Sequence, residues 1–144
     1  MKISKIFTLL CLLLASVALC GCTQNGGNIG IWFGTWHFQE ITADGTVVTD
    51  PDGKEFFVQF QGKIVKLTME DNVHSPYNAT YGNWAEDDDR MQWTFPDPKQ
   101  PLMPVPGITA ANKFTILHRS ATHVTLKQVS EAGVTYTYTL KKVI

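Results

Sequence analysis

Cysteine is nearly missing from this chain. Of its 144 residues three are cysteine, and Cys11, Cys20 and Cys22 all fall in the N-terminal segment. Everything after Cys22 therefore lacks disulfides, thiol nucleophiles and cysteine metal ligands, and its fold must rest on an apolar core. One-sided charge is also missing. Twelve basic residues stand against 13 acidic ones with no basic run, which excludes nucleic acid as a partner. No stretch carries the apolar period of a helix. There is no Gly-x-Ser-x-Gly, and Ser75, Ser120 and Ser130 fall in turns or loops. These absences argue against an enzyme, and no cofactor or metal is expected.

What is present first is an export signal. Lys2 and Lys5 give a positive start, Ile6 to Leu19 is almost wholly apolar, and small residues follow. The apolar run is too short to span a bilayer comfortably. Its end, Leu19-Cys20-Gly21-Cys22, resembles the bacterial lipobox. That resemblance implies removal of residues 1–21, acylation of Cys22, and anchoring by several chains, which is effectively permanent. An ordinary secretory signal cut nearby would instead leave Cys22 a spare thiol. Without Lys2 and Lys5, 10 basic residues face 13 acidic ones, a net charge of −3. Residues 22–29 are polar and Gly-rich and read as a tether. They carry no acidic residue; in similar lipoproteins acidic residues there accompany transport to the cell surface. The expected location is the bacterial envelope, lipid-anchored at the periplasmic side of the outer membrane.

From residue 30 to residue 144 the chain reads as one all-β domain. Short β-type runs alternate with turn signals such as Asp44-Gly45, Gln61-Gly62, Ser120-Ala121 and Ala132-Gly133. The runs are Ile31 to Ile41, Thr46 to Thr49, Lys54 to Phe60, Lys63 to Met69, Tyr77 to Trp84, Arg90 to Phe95, Lys113 to Arg119, Thr122 to Val129 and Val134 to Val143. Met91, Trp93 and Phe95 alternate with Arg90, Gln92 and Thr94, and Tyr136, Tyr138 and Leu140 alternate with threonines. One apolar and one polar face per strand marks an antiparallel sheet. A meander of eight or nine such strands hides its edges by closing into an up-and-down barrel.

One segment breaks the rhythm. Pro96 to Gly107 contains five of the seven prolines, so it lies outside the sheet. It also holds Leu102, Met103 and Val105, which a plain linker would not need. The segment is expected over one mouth of the barrel. There these three side chains either form a contact surface or plug the barrel end.

Gly34-Thr35-Trp36, opening the first long strand, resembles the Gly-x-Trp motif of lipocalins and of the small lipocalin-like lipoprotein domains of Bacteroidetes. The resemblance covers residues 30–144. It implies an eight-stranded antiparallel barrel with Trp36 across its closed end and Gly34 permitting close backbone approach. Two departures matter. Where lipocalins often set an arginine against that tryptophan, only Lys141 or Lys142 is available here, a weaker planar fit. The chain is also shorter than a full lipocalin, and a narrow barrel can be filled by its own side chains.

Candidate chemistry is sparse. His118 and His123 flank a turn and could face each other, without a third ligand for zinc. The tip Glu86-Asp87-Asp88-Asp89 lacks the spacing of a calcium loop. The aromatic residues are more informative. Phe56, Phe60, Trp93, Phe95, Phe114, Tyr136 and Tyr138 should point inward. A small domain needs most of its aromatics for burial, so they are core first. Alternatively Trp93, Phe95, Phe114, Tyr136 and Tyr138 line an apolar pocket. Two functions remain: a non-enzymatic binding module for a small apolar or amphipathic ligand at the open end, or a protein-interaction subunit of an envelope assembly with a filled barrel.

Overall fold

The first strand, β1 (Gly34–Ala43), is followed by β2 (Thr46–Val47), β3 (Glu55–Gln61), β4 (Ile64–Glu70), β5 (Ala79–Asp87), β6 (Arg90–Thr94), β7 (Ala111–Arg119), β8 (His123–Val129) and β9 (Thr135–Lys142). The computed structural model describes residues 30–48, 53–70 and 79–143. The signal peptide and tether expected over residues 1–29, and with them Cys22, lie outside the described residues.

Each strand pairs antiparallel with the next along the sheet, and β1 also pairs with β9 from Trp36↔Lys142 to Ala43↔Tyr136. That last pairing closes the sheet into an eight-stranded antiparallel barrel, with β2 a two-residue appendix on β1. Closure pairs most of the edge that a long meander would otherwise leave open.

Period-two burial runs along the wall. In β3, Phe56, Val58 and Phe60 are buried between more exposed neighbours; in β6, Met91 and Trp93 are. The β1–β2 turn uses Asp44 at φ 48° and Gly45 at φ 83°, two left-handed residues whose twist suits a tight hairpin. The Asp44 carboxylate accepts the Thr135 N–H at 2.9 Å, tying this hairpin to the start of β9.

Two expectations are corrected. The segment read as a strand from Ile31 opens with a 3-10 turn, Gly30–Trp32, and the strand begins at Gly34. His118 pairs with Thr125 across the β7–β8 hairpin, not with His123, because the tight turn sets His123 opposite Ser120, whose N–H donates to the His123 carbonyl at 2.8 Å.

The two barrel ends differ. At one end the 3-10 turn enters and the β3–β4, β5–β6 and β7–β8 hairpins turn. Trp36 is fully buried there, 6.1 Å from Trp32, and its indole donates to the Trp32 carbonyl at 3.0 Å. Lys142 fills the place of the missing arginine. Its Nζ lies 5.3 Å from the Trp36 ring centroid and donates to the Ile31 carbonyl at 2.8 Å. The opposite end carries the proline-rich segment that joins β6 to β7.

Candidate functional site

Four of the five expected pocket aromatics meet inside the barrel as packed core. The Trp93 ring is 4.5 Å from Phe114 and 5.7 Å from Phe60, and Phe114 meets Tyr138 edge-on at 5.7 Å. Edge-to-face contacts at these separations are the favoured packing of aromatic rings. Phe95 covers Gly82, where a Cβ would collide with its ring and with the Thr94 carbonyl. The fifth, Tyr136, is only half-buried and stacks on Tyr138 with an interplanar angle of 21°.

The proline-rich segment is built into the mouth of the barrel. Met103 and Val105 are each 3% exposed, whereas Leu102 is 38% exposed. Two of the three side chains considered for a contact surface are therefore plugs. Anchoring explains why. The Thr80 hydroxyl donates to the Pro101 carbonyl at 2.6 Å and accepts the Met103 N–H at 2.9 Å. Beyond the last β5–β6 pair, Asn83↔Thr94, the side chain of Gln100 takes the place of a strand. It accepts the Tyr81 N–H at 3.0 Å and donates to the Tyr81 carbonyl at 2.6 Å. At the other side, Tyr138 donates to the Pro106 carbonyl at 2.7 Å. Gln128 donates to the Gly107 carbonyl at 2.7 Å and to the Tyr138 hydroxyl at 2.9 Å. Burial pushes the Tyr138 phenol well above its ordinary range, the Gln128 hydrogen bond pulls it partly back, and Tyr136 raises it slightly. Tyr138 is thus a neutral donor at neutral pH.

Free space lies elsewhere, in a cleft that residue patterning does not announce. Pairing between β1 and β3 runs from Gly34↔Phe60 to His37↔Phe57 and stops there, while β1 continues against β9. Gln39 is an extra residue between Phe38↔Leu140 and Glu40↔Thr139, and a bulge bends its strand. Where the two strands part, a cleft of about 240 Å³ opens. Phe38, Ile41, Phe56 and Pro106 give it apolar walls, and Glu40 and Glu55 give it a charged rim. Trp93, Phe95, Phe114, Tyr136 and Tyr138 do not line it. Such a cleft can strip water from a few carbon atoms of a ligand while leaving a polar end at the rim.

The remaining candidates have structural partners or none that converge. Glu86 at the acidic tip pairs with Arg119 at 2.7 Å, and Arg119 also donates to the Asp88 carbonyl. Among the described residues, no three His, Cys, Asp or Glu side chains gather as a metal site would require.

The sequence matches no protein-family model and no curated protein. Two solved structures share the fold. A crystal structure of an uncharacterized protein from Bacteroides eggerthii superposes with a TM-score of 0.56 at 19% identity, covering 78% of this chain and 99% of that one. A lipocalin-like protein from Bacteroides uniformis superposes with a TM-score of 0.56 at 14% identity, covering 79% of this chain and all of that one. The closed barrel described here is therefore a lipocalin-like one, similar over nearly the full length of both Bacteroides proteins.

Proposed function

We propose that this chain is an exported, membrane-anchored binding protein that holds a small apolar or amphipathic molecule in the cleft between β1 and β3. The observation that carries the reading is the parting of these two strands after His37↔Phe57, which leaves an apolar-walled recess beside an otherwise packed interior. At about 240 Å³ the recess is below the ~300–1,000 Å³ usual for drug-sized ligands, so the bound part is small. The proposed role is binding without catalysis, in keeping with the small recess and its largely apolar walls.

The anchor belongs to the same reading. Its support is the Leu19-Cys20-Gly21-Cys22 pattern behind an apolar run, which fits acylation of Cys22 and retention at the outer membrane. Mass spectrometry of protein from its native membrane tests this; an unmodified N-terminus beyond Cys22 rejects it. The aromatic packing of the interior favours the alternative, a subunit of an envelope assembly. Against it stands the burial of Met103 and Val105, which leaves Leu102 alone exposed among the three.

Titration with the fluorescent apolar probe 1-aminoanthracene tests the cleft. Val48 lines it and is half-buried, so Val48→Asp places a charge at its wall without emptying the core. The expected result is saturable binding by the natural protein, weakened at least tenfold in the variant. Equal affinity in both places the ligand elsewhere.

A further inference from the structure

Trp93 is completely buried, yet its indole nitrogen has no hydrogen-bond partner. Two other indoles of the domain are paired, Trp36 to the Trp32 carbonyl and Trp84 to the Gly62 carbonyl. Leaving a buried donor unmet costs roughly 1–3 kcal/mol, and native proteins rarely do so without a reason. The rings packed on Trp93 are those of Phe38, Phe60 and Phe114, and its cross-strand partner Asn112 spends its amide on the Trp93 and Thr109 carbonyls and the Thr109 N–H. An internal water needs two to four polar partners; phenyl rings supply none, and the Asn112 amide is already engaged.

Phe38 connects the Trp93 ring to the cleft. It meets Trp93 edge-on at 6.4 Å, and it also forms part of the cleft wall. It stands just before the bulged Gln39, on the stretch of β1 that lies beyond the last β1–β3 pair. Rotation of its ring breaks no hydrogen bond between those strands. We infer that Trp93 is the specificity-determining donor of the binding site: a ligand entering from the cleft past Phe38 presents a neutral oxygen acceptor to the Trp93 N–H. The inference rests on the cleft being the binding site.

The surroundings define the ligand class. A carboxylate beside three phenyl rings with one N–H donor would be a poorly compensated buried charge. A pure hydrocarbon would leave the donor unmet. A short ketone, ester or ether satisfies the N–H and keeps its carbons against the rings.

The experiment compares 2-heptanone with heptane on the full-length protein and on Trp93→Phe, which keeps a ring and removes the donor. Binding is followed by calorimetry and by the Trp93 indole proton in NMR spectra. The expected result is that 2-heptanone moves this proton downfield while heptane does not, and that Trp93→Phe weakens the ketone about three- to tenfold but not the alkane. If both probes bind and the indole proton responds to neither, Trp93 is not the donor and the cleft reading survives. If neither probe binds, the cleft reading falls, and this inference with it. Should Trp93→Phe fail to fold, the response of the natural protein's indole proton still decides between donor and bystander.

Discussion

Lys142 stands over the indole of Trp36 and hydrogen-bonds to the Ile31 carbonyl, so one ammonium clamps both the closed end of the barrel and the turn that enters it. A cation over an indole contributes ~0.5–1 kcal/mol at exposed sites, and a hydrogen bond from a charged donor adds ~1.5–3 kcal/mol. Lys142→Met keeps much of the aliphatic stem and loses both. It should lower stability by about 2 kcal/mol in urea unfolding. Lys142→Arg should retain most of it, since a guanidinium stacks on indole at least as well. Equal losses in both variants would show that stem packing, not charge, closes the end.

Trp36 itself should matter more. It is fully buried and its N–H is satisfied within the domain. Trp36→Ala removes the ring and leaves the Trp32 carbonyl without its donor, a loss of about 3–5 kcal/mol for aromatic truncation in a core. A urea midpoint shifted by less than half of that would show that the end repacks.

The mouth gives a contrast within three residues. Met103→Ser and Val105→Ser each put a hydroxyl where an apolar side chain is 3% exposed, and each should cost about 2–4 kcal/mol. Leu102→Ser, at 38% exposure, should stay within ~1 kcal/mol. Thermal unfolding of the three variants distinguishes a structural plug from a passive loop. If all three melt like the natural protein, the segment carries no stability.

Much of the barrel was legible in the residues, because the wall obeys a local rule. Met91 and Trp93, or Phe56, Val58 and Phe60, alternate with polar neighbours and are buried as that pattern implies. Trp36 was placed in the core by the Gly-x-Trp resemblance, and it is fully buried. The cleft was not legible. It depends on where β1 stops pairing with β3, a long-range event marked only by an extra residue at Gln39. The same holds for the segment at the mouth. Five prolines announce a loop, but Met103 and Val105 are buried because Thr80, far away in β5, holds the backbone between them and Pro101. The 3-10 turn at Gly30–Trp32 is too short to display any period. Trp93 could be assigned to the core from alternation, whereas its unmet N–H is visible only once every neighbour is in place.

Tyr138 links stability to pH. Its phenol ordinarily titrates near 10.0, and burial raises it in the folded protein. A group whose folded value is raised favours the folded state fully below its unfolded value, and that advantage is lost as pH rises beyond it. The folded protein keeps the proton above pH 10 while the unfolded chain releases it, so stability should fall progressively in alkaline solution. Tyr138→Phe removes the titration. It also removes the hydrogen bond to Pro106 and leaves that carbonyl without its donor, a cost of about 1–3 kcal/mol at neutral pH. The expected pattern is a variant less stable than the natural protein at pH 8, with the gap narrowing by pH 11. Urea midpoints at the two pH values measure it. Parallel curves would mean that the phenol does not titrate as a buried group. A gap that widens with pH would mean that the Gln128 hydrogen bond to the ionised phenol outweighs its burial beside Phe38 and Phe114, the reverse of the expected balance.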